Sequence, residues 1–489
     1  MNAPLSPAHL PTRRQSFSVI LAIELWERFG FYGMQAVLLL YLVQHLGFSD
    51  QHATLLIGAF SALNYIFPVP GGLAGDRLLG ARRSMLTGAV LLTVGYVTLG
   101  LADQHISLLA TALALIATGN GLFKPNAGNI VRKIYEGDDA ELDAAFTIYY
   151  MSVNVGSMVS MLLTPVLQDK FGSETAFLVC AGGLVLGLGY YLSCSRWLKP
   201  RDGEVDRVPL NLKTVGLVGG GIVLCLLASQ VVLGNEDIAR DSIWVAAVLI
   251  VLILSWLYRH VAVEERLGLK IAYLLCAETM VYALFYQQQL TSLTLFALRG
   301  VDGDFRIGSH VLFHLSAGQF QAMDPMWIML FSPVLATLYN RLARSGNNLS
   351  LAIKIVIGFA MGAASFLIWW LSAASTSGLI SGWVMLIGYG FASLGELLTM
   401  ALGLAIIARY VPARFSGFMM GSLYLLWALA FYLGSVMSSM SVGVSEGVTQ
   451  AAAFVPLLRE LSLIFVVALA AAIALLPLVN RWDRQFSAK

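Results

Sequence analysis

Arg196-Trp197-Leu198-Lys199-Pro200-Arg201-Asp202-Gly203-Glu204-Val205-Asp206-Arg207 is the longest charged run in a chain that otherwise strings apolar blocks between short polar breaks. Of its 489 residues, 58% are hydrophobic and 12% charged, where an ordinary soluble domain carries about 25% charged residues. This is membrane composition, and the blocks lie too close together to leave room for a soluble catalytic domain. In lipid only helices or closed barrels satisfy the backbone, and apolar runs of about 18 residues or more need helices. Cutting at the polar breaks gives fourteen spans, at 18–44, 54–75, 84–102, 107–130, 143–168, 175–196, 213–233, 242–259, 268–298, 325–341, 350–373, 382–409, 416–440 and 456–480. Six precede the charged run. The spans at 213–233 and 242–259 have no charge in their apolar cores and read as a peripheral hairpin, and six more follow. The expected fold is an all-α polytopic membrane protein with six-helix bundles over 1–200 and 263–489, a linker and two-helix insertion over 201–262, and a substrate site between the bundles near the bilayer midplane.

The net charge of +2 has no basic block behind it, so nucleic acid is not an expected partner. The cations serve orientation instead. With a cytoplasmic N-terminus, 23 Lys and Arg fall on inner flanks and five on outer loops (Lys170, Arg240, Arg299, Arg306 and Arg459), as the positive-inside rule requires with both termini cytoplasmic. Arg13 and Arg14 precede a long helix without a short apolar region or a small-residue cleavage site, so it reads as a start-transfer helix rather than a signal peptide. Cys180, Cys194, Cys225 and Cys276 lie in apolar runs with no metal-ligand spacing and read as packing residues; no metal or cofactor is expected. With no H-E-x-x-H helix and no Ser or Cys nucleophile beside a base, the chain is not expected to be an enzyme and has no catalytic residue. Gly72-Leu-Ala-Gly-Asp-Arg77 is not a phosphate loop, which leaves ATP-driven pumping unsupported.

Charges inside spanning helices cost at least about 2.5 to 3.5 kcal/mol, so each demands a partner or a role. In Ile23-Glu24-Leu25-Trp26-Glu27-Arg28-Phe29-Gly30-Phe31-Tyr32-Gly33, helical spacing puts Glu24, Glu27, Arg28 and Phe31 on one face, with Tyr32 and Gln35 on its edge. Two acids and one base leave an excess acid. The other intramembrane cation is Lys124, in Gly119-Asn-Gly-Leu-Phe-Lys-Pro-Asn126, where Pro125 should kink the helix. Glu396, in Gly395-Glu396-Leu397, has no basic residue in its own span, and Glu278 is a weaker case. The alternative is that these groups merely join helices through buried ion pairs, although small residues would do so more cheaply. All seven histidines sit at helix ends or in loops, so a proton relay must use carboxylates. Tyr65, Tyr149, Tyr150, Asn154, Gln287, Gln288, Gln289, Ser292, Trp327 and Tyr424 fill out the same region, either in a pocket or bonding helices together. Gly71-Gly-Leu-Ala-Gly-Asp76-Arg77-Leu-Leu-Gly80-Ala-Arg82-Arg83 combines glycines with a charged cluster at the inner face and reads as a conformational latch through Asp76, Arg77 and Arg82.

These stretches carry a resemblance. The Gly71–Arg83 loop resembles the signature between the second and third helices of the major facilitator superfamily, implying that fold. Glu24-Leu-Trp-Glu27-Arg28-Phe29 with Tyr32-Gly33 resembles the ExxERF signature of the proton-coupled oligopeptide transporters, and Gly119–Asn126, Phe146–Ser157 and Gly395–Leu397 look like further blocks of that family, nearest its bacterial dipeptide and tripeptide permeases. The resemblance implies a symporter importing di- and tripeptides with protons by alternating access, in the bacterial inner membrane and as a functional monomer. It implies that Arg28 and Lys124 hold the peptide carboxylate, that Glu396 holds the amino group, and that Tyr32, Tyr65 and Asn154 hold the backbone. Glu24 and Glu27, with Lys124, would couple protonation to binding. Tyr150, Gln288, Asp324 and Tyr424 join the expected substrate-binding set.

Several residues depart from the family pattern. Phe31 stands where many members have tyrosine and Gln35 where many have arginine, while the acid that commonly pairs with that arginine is missing near Gln287 and Gln288. Asp324-Pro325 replaces a more usual Asn-Pro, and Leu423-Tyr424 a more usual Trp-Phe. The rival reading is a transporter of the same fold carrying a drug, nitrate or a modified amino acid; a channel suits a buried carboxylate and ammonium set less well.

Overall fold

A computed structural model describes residues 11–102, 105–345, 349–441 and 450–487. The chain runs α1 (Arg13–Leu40), α2 (Asp50–Ile66), α3 (Pro68–Arg77), α4 (Ala81–Gly100), α5 (Ile106–Ile134), α6 (Asp139–Phe171), α7 (Ser173–Cys194), α8 (Glu204–Arg207), α9 (Leu212–Leu233) and α10 (Glu236–His260). It continues through α11 (Arg266–Tyr286), α12 (Ser292–Gly300), α13 (Met323–Arg344), α14 (Leu351–Ala374), α15 (Gly382–Leu397), α16 (Gly403–Tyr410), α17 (Ala413–Ser441) and α18 (Val455–Ser487). Among the described residues, thirteen segments are long and apolar enough to cross a membrane, with α2 and α3, α11 and α12, and α15 and α16 each forming one crossing. The remaining expected span is α1, whose 28 residues carry Glu24, Glu27 and Arg28 in their middle. Its start is set locally, by Thr12 accepting from the Gln15 amide while the Gln15 side chain accepts from the Thr12 amide, a reciprocal cap.

The chain divides into two compact units. The first comprises Met1–Tyr41 and Leu63–Ile238. Here α1 lies against α6 and α7, and α4 against α5. Small residues allow the close approach. A Cβ on Gly156 of α6 would sit 2.8 Å from the Leu25 carbonyl of α1, so only glycine fits. Helix α5 runs through Pro125, which cannot donate to the carbonyl of Gly121 one turn earlier. Gly71 of α3 packs directly on that carbonyl, and Asn126 Nδ2 ties α5 to α3 by donating to the Gly71 oxygen at 3.0 Å. Helix α9 lies on the outside of α5, where Gln230 donates to Thr111 at 2.7 Å, and most of its apolar side chains remain exposed to lipid.

The second unit comprises Leu42–Ala62 and Ala239–Lys489. The first part of α2 therefore packs with the later chain: Gln287 donates to Ser61 at 3.3 Å and to Ser435 of α17 at 3.1 Å. Two crossings are broken at corresponding points. Between α11 and α12 lies a tight turn at Gln287–Gln289, and between α15 and α16 another at Met400–Leu402. In both, a buried threonine hydroxyl replaces the missing ladder donor. Thr291 donates to the Gln287 carbonyl at 3.0 Å and Thr399 to the Gly395 carbonyl at 2.7 Å.

The loop after α12, read from sequence only as an outer connection, contains short strands. β1 (Val301–Asp302) pairs parallel with β4 (Ile380–Ser381), and β2 (Asp304–Ile307) pairs antiparallel with β3 (His310–His314). Phe305 is fully buried, stacked 4.4 Å from Phe313 and edge-on to Trp383 at 5.0 Å, which fastens the hairpin to α15.

Candidate functional site

Two clusters of buried charge are built, one in each unit. In the first, one turn of α1 brings Glu24 Oε1 to 3.1 Å from Arg28 Nε as an acceptor, while Glu27 Oε2 lies 2.6 Å from the same nitrogen as an ion-pair contact. All three side chains are at most 3% exposed. Both Glu27 oxygens, Glu24 Oε2 and Arg28 Nη2 have no hydrogen-bond partner in the protein. Tyr149 of α6 hydrogen-bonds to Glu24, and Tyr32 adds its charge interaction with Arg28. Lys124 of α5 interacts with Arg28, Glu27 and Glu24 together, and its Nζ stands 5.1 Å from the Tyr65 ring centroid. The expected face of α1, Lys124, Tyr32 and Tyr65 therefore converge.

The formal charges in this cluster, two acids and two bases, cancel. An arriving anion would find two cations already balanced, so its charge is uncompensated unless a proton arrives with it. Arg28 Nη2 is a buried charged donor with no hydrogen-bond partner in the protein. Phe31 has its own contact, the Arg28 guanidinium standing 5.8 Å over its ring. The hydroxyl that the family pattern would place there is replaced by a π face.

Other expected positions differ in placement. Asn154 is buried on α6, with Nδ2 donating to the Tyr150 carbonyl at 2.9 Å. Tyr150 itself is 45% exposed, while the adjacent Tyr149 is the tyrosine that reaches the acids. Tyr96 of α4, which sequence reasoning did not single out, is fully buried beside Glu27. Its signal in the sequence is no stronger than that of any mid-helix aromatic. In the inner loop, Asp76 accepts from Asn129 at 2.8 Å. Arg82 grips both oxygens of Asp202 at 2.6 and 2.7 Å and donates to Tyr191 at 3.1 Å. Arg77 is exposed.

In the second unit Asp324, at the start of α13, is 6% exposed. Its Oδ1 accepts from Ser393 of α15 at 2.5 Å, and the carboxylate also contacts Gln289 and Glu396. Glu396 Oε2 is buried without a hydrogen bond in the protein. Tyr282 of α11 stands beside both acids and donates to the Ala392 carbonyl at 2.7 Å. The charged neighbours of this pair are each other, with no Lys or Arg against them among the described residues. Tyr424 packs edge-on to Trp427 at 5.9 Å on α17. Gln288 is bonded on all sides, donating to the Gly434 carbonyl at 2.9 Å and accepting from Ser292 and Ser438 at 2.6 and 2.7 Å.

Known proteins share this architecture. The dipeptide and tripeptide permease A of Proteus mirabilis is 38% identical over 436 residues, covering 88% of this chain and 87% of its own. The dipeptide and tripeptide permease B of Salmonella typhimurium is 36% identical, covering 91% and 90%. The crystal structure of tetrameric PepTSo2 superposes with a TM-score of 0.86 at 40% identity, covering 96% of this chain and 99% of its own. The profile of the POT family matches residues 82–453. With the α1 charges, the α5 lysine and the α15 acid set on one all-helical polytopic frame, and with relatives that span nearly its whole length, the chain belongs to the POT family.

Proposed function

We propose that the protein is a proton-coupled symporter that imports di- and tripeptides by alternating access across a bacterial inner membrane. The observation that carries the reading is the α1 and α5 cluster, in which two carboxylates share one guanidinium nitrogen beside Lys124. A peptide carboxylate taken by Arg28 and Lys124 makes the cluster one charge negative. A proton on Glu27 or Glu24 restores neutrality, so peptide and proton enter together. The peptide ammonium goes to Glu396 and Asp324, while Tyr32, Tyr65, Asn154 and Tyr424 line the backbone and side chains of the bound peptide. Tyr150, next to Tyr149 on α6, and Gln288, at the break between α11 and α12, complete the proposed substrate-binding set. Asp76, Arg77 and Arg82 latch the inner loop, with support from the Asp76–Asn129 and Arg82–Asp202 contacts.

That both clusters lie in one chain supports a functional monomer as the transporting unit. The cation bias supports cytoplasmic termini, which cysteine labelling at each end from either side of the membrane would read directly. The decisive experiment is uptake of labelled dialanine into proteoliposomes under an imposed pH gradient, with di- and tripeptides, single amino acids, nitrate and drugs as competitors. Gradient-driven accumulation competed by small peptides alone supports the reading. Competition by nitrate or by drugs, with peptides inert, would assign the fold to another cargo.

A further inference from the structure

In the first unit, the C-terminal end of α5, the turn into α6 and the linker after α7 enclose a cavity of about 560 Å³ lined by Arg132, Lys133, Arg201 and Arg207, with Glu136 and Asp202 as its acids. Among the described residues its charges do not balance. Asp202 is bound through both oxygens by Arg82, which does not line the cavity. Lys133 reaches Asp206 at 3.6 Å only, and Asp206 also accepts from the Arg82 amide. Arg132 bonds to the neutral Asn129 at 3.2 Å. Neither Arg201 nor Arg207 pairs with an acid among the described residues, and Arg201 Nε is buried with no hydrogen-bond partner. Glu136, exposed on the rim, is among the described residues the one lining carboxylate free of a stronger cation outside the cavity.

Cations at the end of α5 are favoured by the helix dipole and by the positive-inside rule, and that accounts for Arg132 and Lys133. The positive-inside rule also favours Arg201 and Arg207 on this face, but neither it nor the α5 dipole explains why these two linker side chains converge on the same cavity. Guanidinium forks suit phosphate oxygens, and like charges held this close need a counter-ion.

We propose that this cavity is a phosphate-binding site that takes the headgroup of an anionic phospholipid or a free phosphate, and that the bound anion ties the end of α5 to the linker. Both sources present the same oxygens, and two probes separate them.

The full-length protein is melted in detergent with phosphatidylglycerol, with phosphatidylcholine, and with inorganic phosphate at constant ionic strength. Saturable stabilisation by phosphatidylglycerol but not phosphatidylcholine is expected, with the half-saturating concentration raised about tenfold or more in R132Q/R201Q. Dialanine counterflow at saturating peptide should be unchanged in that variant. Stabilisation by inorganic phosphate that the same substitutions remove would support the site and name a free anion as its occupant. If R132Q/R201Q does not fold, R207Q is read alone and should weaken the response severalfold. No stabilisation by either phosphate source, or a response equal in native protein and variants, would overturn the proposal.

Discussion

Asp50, the first residue of α2, and Arg299, in the last turn of α12, form a two-pronged ion pair across 249 residues of sequence, with Nη2 to Oδ1 at 2.7 Å and Nη1 against Oδ2. Asp50 is 3% exposed and Arg299 12%, so the pair has little water to fall back on. It fastens the early segment of the second unit to the late one.

Arg299→Ala leaves a buried carboxylate unpaired and is expected to destabilise the protein by on the order of 3 kcal/mol. The double variant D50A/R299A should recover much of that loss, because no lone charge remains. Thermal denaturation of the three proteins in one detergent reads the comparison, and a double variant as unstable as the single would contradict it.

Glu27→Gln is expected to abolish gradient-driven accumulation of peptide while retaining counterflow. Exchange needs the carboxylate-binding cations and a mobile carrier, but no net proton. Parallel accumulation and counterflow assays in proteoliposomes decide it, and accumulation at the native level would remove Glu27 from the coupling.

Glu396→Gln should weaken dipeptides with a free amino group by about tenfold or more, a lost charge-assisted bond being worth about 1.5 to 3 kcal/mol. N-acetylated dipeptides, already poor competitors, should lose little further. Asp324→Asn keeps the shape and the Ser393 contact but halves the charge of the pair, and should give a smaller loss of the same kind. Equal losses for free and acetylated peptides in competition assays would make both acids structural.

On the β2–β3 hairpin, Arg306 and then His314 hold the Asp304 carboxyl below its ordinary range. A depressed carboxyl contributes stability above its unfolded value, about 3.9, and that contribution is lost as pH falls through the lower folded value. Amide protection of the hairpin should thus decline as pH falls below about 4. The change is small, because these groups are exposed. Hydrogen exchange across that range measures it, and protection unchanged down to pH 2 would exclude the ion pairs as its source.

Much of this was legible in the residues. The spacing of Glu24, Glu27 and Arg28 fixes their shared face by helical geometry alone, and Lys124 follows as the other cation in an apolar span. What pairs at long range was not. Asp50 and Arg299 each sit at a helix end, where charges are commonplace, and nothing local says that they meet. Asp324 is legible as a departure from the family pattern and as a member of the substrate-binding set, but its direct contact with Ser393 and Glu396 depends on how α13 lies against α15. Tyr149 and Tyr150 are neighbours in sequence, and the helical rotation that selects Tyr149 for Glu24 is decided by the packing of α6 on α1. The hairpin within 301–314 escaped because its strands are too short to carry a clear alternation.

The interrupted ladder at Gln287–Gln289 makes α12 a short lever with its pivot at Thr291. Nine residues of helix give an arm of about 13 Å. A bend of about 20° at the pivot, the size that ladder breaks commonly produce, swings the far end by roughly 4 to 5 Å. Arg299 rides on that far end, and a fork-to-fork pair tolerates no such displacement. A bend of that size at the pivot would be enough to separate the Arg299 fork from Asp50 while leaving every helix intact.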